Sequence, residues 1–204
     1  MYFLYTAAFF LLSAYVSIWT QKKIAQPSEG NFAPLPDAFH NLTSENGFLA
    51  KFFWLTNYII YLYFFIILWY QIEACKFFNL LSLLFLLRSC MYSATVLPTP
   101  TKHFFKSHYQ ESVLSILIKY LTLQDRNFGH TNDLIFSGHV STMILFSLHT
   151  TKYMVFSTLQ LTFFWLLTLV SCLSVVASRS HYSICAMVAI PITHYVYLLV
   201  GNYF

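Results

Sequence analysis

The sequence predicts an all-α, polytopic membrane protein with six transmembrane helices. Charged residues make up only 9% of the 204 residues and apolar residues 58%, whereas a soluble domain carries roughly a quarter charged residues. The apolar residues also gather into six runs, at 2–19, 52–72, 77–97, 134–150, 154–177 and 182–204. Each run is close to the ~20 residues that take a helix across the hydrocarbon core. What remains is too short and too dispersed for a water-soluble domain, so residues 1–204 are expected to form a single transmembrane domain. A soluble enzyme and a nucleic-acid-binding module are both excluded by this balance.

The first run has the length of a signal peptide. It lacks a basic n-region and a small-residue cleavage site near 19–23, and is expected to stay as a membrane helix. The second and third runs are separated by a short turn, as are the fourth and fifth. Phe (22) and Tyr (15) supply bulky lipid-facing and interfacial surface. The four cysteines, Cys75, Cys90, Cys172 and Cys185, form no CxxC pair. They are expected as small buried hydrophobes rather than metal ligands or disulfides. No metal or organic cofactor is expected. Residues 112–121 ("SVLSILIKYL") suit either a short interfacial helix or an ordinary packed loop helix.

Six spans place three loops on one side of the membrane, residues 20–51, 98–133 and 178–181. Every motif of chemical interest falls there. The charge count sets that side in the cytoplasm: it holds Lys22, Lys23, Lys51, Lys102, Lys106, Lys119, Arg126 and Arg179, against Lys76 and Lys152 opposite.

Two histidine clusters stand where apolar spans meet polar loops, "DLIFSGH" at 133–139 and "SRSHYSIC" at 178–185. In the first, Ser137, Gly138 and His139 open a helix whose N-terminal N–H groups face an incoming anion. Gly138 lets the backbone approach a phosphate, and His139 can shuttle a proton. In the second, Arg179 suits bidentate phosphate binding and His181 can attack phosphorus. Arg88 sits near mid-span, where a charge is costly and faces a cavity or a partner. Its candidate counterions are Asp37, Asp133 and Glu111. The remaining histidines (His40, His103, His108, His130, His149 and His194) are expected in structural roles.

Four stretches, "PLPD" at 34–37, "RSCMYSATVLPTP" at 88–100, "NDLIFSGH" at 132–139 and "SRSHYSIC" at 178–185, resemble the sphingomyelin synthase family, a branch of the wider phosphatidic-acid-phosphatase type 2 (PAP2) fold. The resemblance covers nearly the whole chain, short of the N-terminal extension that many relatives carry. The first two stretches are the more specific, because general lipid phosphatases lack them. The phosphatase motif with Arg-Pro is absent, since no Arg-Pro occurs in the chain.

The resemblance implies a PAP2-like helical bundle that moves a phosphocholine or phosphoethanolamine headgroup onto ceramide. The donor would be phosphatidylcholine or phosphatidylethanolamine, and diacylglycerol would be released. Transfer would pass through a phosphohistidine on His181, with His139 as the acid and base. Arg88, Arg179, Ser137, Gly138, Asp133 and Asp37 would hold the substrate. The resemblance also implies a Golgi, endoplasmic reticulum or plasma membrane protein with a lumenal or exoplasmic site, opposite to the charge count.

The match departs from the family at three positions, with Asn132 for glycine, Val140 for threonine and Cys185 for the catalytic aspartate. If 181 and 185 share a helix face, a carboxylate at 185 would orient His181 and stabilise its cationic form. A neutral thiol is a poor acceptor, and by analogy with a catalytic triad the loss approaches ~10⁴ in rate. A lowered-pKa thiolate beside Arg179, or a carboxylate from elsewhere such as Asp133 or Asp37, could substitute. Two further function classes therefore stand beside the transferase: a catalytically weakened lipid-binding relative, and a lipid phosphate phosphatase that uses water as acceptor.

Overall fold

A computed structural model describes residues 2–23, 34–43, 47–70, 73–95, 97–98, 100, 111–121 and 135–200. Eight helices are seen among them: α1 (Tyr2–Lys23), α2 (Ala38–Leu42), α3 (Phe48–Tyr70), α4 (Ala74–Ala94), α5 (Val113–Leu121), α6 (Gly138–Tyr153), α7 (Thr158–Ala177) and α8 (Ser183–Val200). Five of them, α1, α3, α4, α7 and α8, are long and apolar enough to cross a membrane. The span expected at 134–150 is the exception. It folds as α6, whose 16 residues reach about 24 Å at 1.5 Å per residue, short of the ~30 Å hydrocarbon core.

The shortness of α6 follows from its position. It packs against α3, α4, α7 and α8, so it is wrapped by protein and has no need of an apolar surface. Ser141, Thr142, Ser147, His149 and Thr150 are all buried. Their hydroxyls are satisfied within the bundle: Thr142 Oγ1 donates to Gly138 O at 2.8 Å, and Ser147 Oγ pairs with Thr168 Oγ1 at 2.6 Å. Small polar residues at helix contacts are the usual adhesive where lipid removes the hydrophobic drive for association. The outer helices invert the pattern of a soluble protein. On α7, Thr168, Ser171 and Ser174 are buried while Leu159, Phe163, Leu166 and Leu169 are exposed.

Side-chain pairs fix the helix directions. Phe10 meets Phe78 and Phe85, and Ser17 Oγ lies 3.1 Å from Tyr92 Oη, so α1 and α4 run parallel. Thr56 Oγ1 meets Ser174 Oγ at 3.0 Å and Tyr63 meets Phe164, so α3 and α7 are antiparallel. Tyr197 Oη bonds Leu148 O while Ser137 N bonds Cys185 O, which makes α6 and α8 parallel. The C-terminal ends of α1, α4 and α7 therefore share one end of the bundle with the N-terminal ends of α3, α6 and α8. The segment 112–121 forms α5, which packs Ile116 and Leu117 onto Ile18 of α1 and leaves Leu114 and Ile118 exposed.

Between α3 and α6 the Tyr63 and Phe146 rings stack with centroids 3.5 Å apart. Phe146→Ala should cost about 3 kcal/mol through the cavity it leaves and lower the unfolding midpoint in detergent by several degrees. Phe163→Ala, at a side chain 60% exposed to lipid, should leave the midpoint nearly unchanged. Thermal melts followed by tryptophan fluorescence compare the two.

Candidate active site

The shared end of the bundle gathers the residues singled out in the sequence. Ser137 caps α6, accepting the Val140 N–H with its side chain. Gly138 is the first residue of the helix, and a Cβ there would lie 3.3 Å from Cζ and Nη1 of Arg88. A glycine at this point thus lets the guanidinium lie against the first turn of α6. Arg88 Nε donates to Phe136 O at 3.2 Å and Cζ sits 5.6 Å from the Tyr92 ring centre, so the charge is held in place at depth.

His139 follows directly. Its Nε2 lies 3.0 Å from Asn57 Oδ1 on α3, and its ring packs edge-on to Phe53. With Oδ1 as acceptor, Nε2 keeps its proton and Nδ1 is the atom that exchanges one. The two histidine clusters meet here, with the His139 and His181 ring centroids 6.2 Å apart. Nothing in the sequence joins them except the membrane topology.

Beside His139 opens a cavity of about 190 Å³ bounded by α1, α3, α4, α5 and α6. Its walls are apolar at Phe10, Ile60, Phe64 and Phe85, and its polar lining comes from Arg88, His139, Asn57, Thr142, Ser17 and Gln21. This amphipathic lining suits one chain of a lipid next to a polar or charged group. His181 is not on the wall. It is 1% exposed and lies beyond the His139 ring.

The loop that carries His181 is tied to the short helix α2. Asp37 caps α2 through Oδ1, which accepts the Phe39 and His40 N–H groups at 3.0 and 3.1 Å. The same carboxylate accepts Ser183 N at 2.7 Å and Ser183 Oγ at 2.7 Å, and so caps α8 as well. His40 Nε2 meets His181 O at 3.1 Å, and its ring stacks on Tyr182. Arg179 has a left-handed backbone, φ 59°, and its Nη2 donates to His40 O and to Thr43 O at the C-terminal end of α2. Tyr182 joins the proline-marked stretches: its hydroxyl donates to Pro98 O at 3.0 Å and accepts Leu35 N–H at 3.0 Å. Burial holds that phenol above its ordinary pKa, so it stays a donor.

Three expectations change in this geometry. Helix α8 starts at Ser183, so His181 precedes it, and the helical i, i+4 relation invoked for Cys185 does not apply. Cys185 is fully buried beside Tyr182 and Leu97; its carbonyl accepts Ser137 N–H at 3.4 Å, which joins α8 to the mouth of α6. Arg179 and Asp37, expected at the substrate, bind protein groups of the other's segment. Asp133 lies outside the described residues. Asn57, His40, Tyr182 and Ser183 were not singled out for the site. Only Asn57 had a signal, as an amide inside the apolar run "FFWLTNYII".

Gly138→Ala should displace the Arg88 guanidinium by a few tenths of an ångström and leave the fold intact. Any phosphoryl transfer carried out at this site should fall about tenfold, as small misplacements at a reacting centre do. Steady-state rates beside a thermal melt of the same sample check this.

Residues 130–202 match the family model described as PAP2 superfamily C-terminal. No curated protein matches the chain. The matched residues span α6 to α8 and hold both His139 and His181. The match supports a place for this membrane protein in the PAP2-like superfamily, and it fits a lipid phosphatase- or phosphotransferase-like function.

Proposed function

We propose that the protein transfers a phosphocholine or phosphoethanolamine headgroup from a glycerophospholipid to ceramide. The observation that carries a lipid phosphoryl transfer is the convergence of Arg88, the N-terminus of α6 and His139 at one amphipathic cavity, with His181 immediately beyond. The sphingolipid assignment rests on the resemblance of the four stretches to the sphingomyelin synthase family. Phosphatidylcholine or phosphatidylethanolamine is the donor, and a Golgi, endoplasmic reticulum or plasma membrane is the expected site.

The donor phosphate is held by Arg88 and the N-terminal end of α6, which together stabilise the charge that builds on its oxygens. The His139 ring turns aside to bring phosphorus to His181. An imidazole nitrogen of His181 attacks, the P–N bond forms and the P–O bond to glycerol breaks. His139, protonated at Nδ1, gives its proton to the departing diacylglycerol oxygen. Ceramide then enters, its primary hydroxyl loses a proton to His139, and its oxygen displaces the His181 nitrogen. Both histidines are regenerated, and no metal takes part.

A second reading has its own observation. Cys185 gives His181 no carboxylate, and His181 is 1% exposed, as suits a relative that keeps the headgroup pocket for binding with little turnover. Purified protein given phosphatidylcholine or phosphatidylethanolamine with ceramide decides between them by mass spectrometry. Transfer should produce a phosphosphingolipid and diacylglycerol, and His181→Ala should lower the rate at least ~10³-fold. Release of headgroup phosphate to water in place of ceramide would identify a phosphatase. Lipid binding with no product in wild type would favour the weakened relative.

A further inference from the structure

Three alternate residues of the His181 loop are held from one side. Arg179, His181 and Ser183 are each hydrogen-bonded to the segment 37–43, and none of the bonds uses the His181 ring. Arg179 Nη2 reaches the carbonyls at the C-terminal end of α2, His40 Nε2 reaches His181 O at 3.1 Å, and the Asp37 carboxylate takes Ser183 N and Oγ at 2.7 Å each. The loop needs such support. Arg179 holds φ 59°, a left-handed conformation that a residue with a Cβ adopts only at an energetic cost. His181 lies outside α8, so no helix fixes its backbone.

We infer that α2 and its cap are a positioning device for His181, in which Asp37, His40 and Arg179 act through the loop backbone and do not touch the lipid. The inference deepens the proposed function, because it takes His181 as the nucleophile. Each bond has a separate task. The Asp37 carboxylate sets the first turn of α8 and so the direction in which the chain leaves His181. His40 donates Nε2–H to the carbonyl of His181 itself and fixes the plane of that peptide. Arg179, whose charge faces the negative end of α2, keeps the chain turned into the left-handed region two residues before the nucleophile. The resemblance to the sphingomyelin synthase family implies a carboxylate at residue 185, where this chain has a thiol. Support from α2 explains how His181 is oriented without it.

The test uses the full chain in lipid nanodiscs, with His40→Ala, His40→Gln, Asp37→Ala and Asp37→Asn. Two quantities are read: steady-state transfer of the headgroup to ceramide, and hydrogen exchange of a peptide covering 179–184. His40→Ala and Asp37→Ala should lower kcat about tenfold or more with KM within twofold, and exchange at 179–184 should quicken about tenfold. His40→Gln should restore most of both, because its amide N–H reaches where Nε2–H did. Asp37→Asn should restore part, because one oxygen still accepts Ser183 N–H. A rise in KM at constant kcat would overturn the inference by making these residues lipid contacts, as would unchanged kcat with unchanged exchange. If wild type transfers no headgroup, the proposed function fails, while exchange in the same variants still decides whether α2 holds the loop. Should the alanine variants not fold, the Gln and Asn variants carry the comparison.

Discussion

Arg88 lies against the first turn of α6 because residue 138 has no side chain, and the arrangement of the whole polar end follows from that contact. A guanidinium at this depth in a membrane bundle must be held by protein. Here the Phe136 carbonyl and the Tyr92 ring hold it. A cation beside the N-terminal end of a helix is also opposed by the helix dipole. The two positive features repel, and the Phe136 carbonyl and the Tyr92 ring offset part of that repulsion. In the proposed reading, an anion at the mouth of the cavity would lie against both. A phosphodiester carried on a lipid meets both the charge and the apolar walls.

The same contact explains the layering of the bundle. For Arg88 to reach Gly138, α6 must sit at the centre, and a central helix in a membrane protein is lined by protein on all sides. Its hydroxyls and small residues are the outcome of that burial, and its 16 residues are enough because it need not meet lipid at either end. This is also where the sequence misleads. The runs that form α1, α3, α4, α7 and α8 are legible from length and hydropathy, and α1, α3, α7 and α8 also expose Leu, Phe or Tyr on their outer faces. Residues 134–150 look like another such run, yet their serines, threonines and histidine belong to a buried interior.

The candidate site was legible in part, and the limit is physical. Arg88, Gly138, His139 and His181 stand out because a charge, a helix-opening glycine and histidines at span boundaries are uncommon in a chain that is 9% charged. Their arrival at one end of the bundle depends on the parallel and antiparallel helix pairs, which alternation of spans already implies. The segment 34–43 was legible only as a motif. Its role depends on hydrogen bonds between residues some 140 positions apart, such as Asp37 to Ser183, and no local pattern encodes those. Asp37 and Arg179 looked like substrate ligands because carboxylate and guanidinium are common ligands. In the fold their partners are backbone groups at helix ends and, for Asp37, the Ser183 hydroxyl as well.

Cys185 is the sharpest instance of this difference between residue type and residue environment. Treated as a helical neighbour of His181, it reads as a lost carboxylate. In the fold it is a fully buried side chain between Tyr182 and Leu97, and its carbonyl meets the N–H of the residue that caps α6. An ionised carboxylate at that position would have to be desolvated among apolar neighbours, at a cost of several kcal/mol unless paired. Asp37 supplies a carboxylate to the same loop, engaged with Ser183 two residues beyond His181. In the proposed reading, His181 is oriented by a segment more than a hundred residues earlier and not by a side chain of α8. That support does not supply a negative charge beside a cationic imidazole, so in the proposed transfer the stabilisation comes from the phosphate itself.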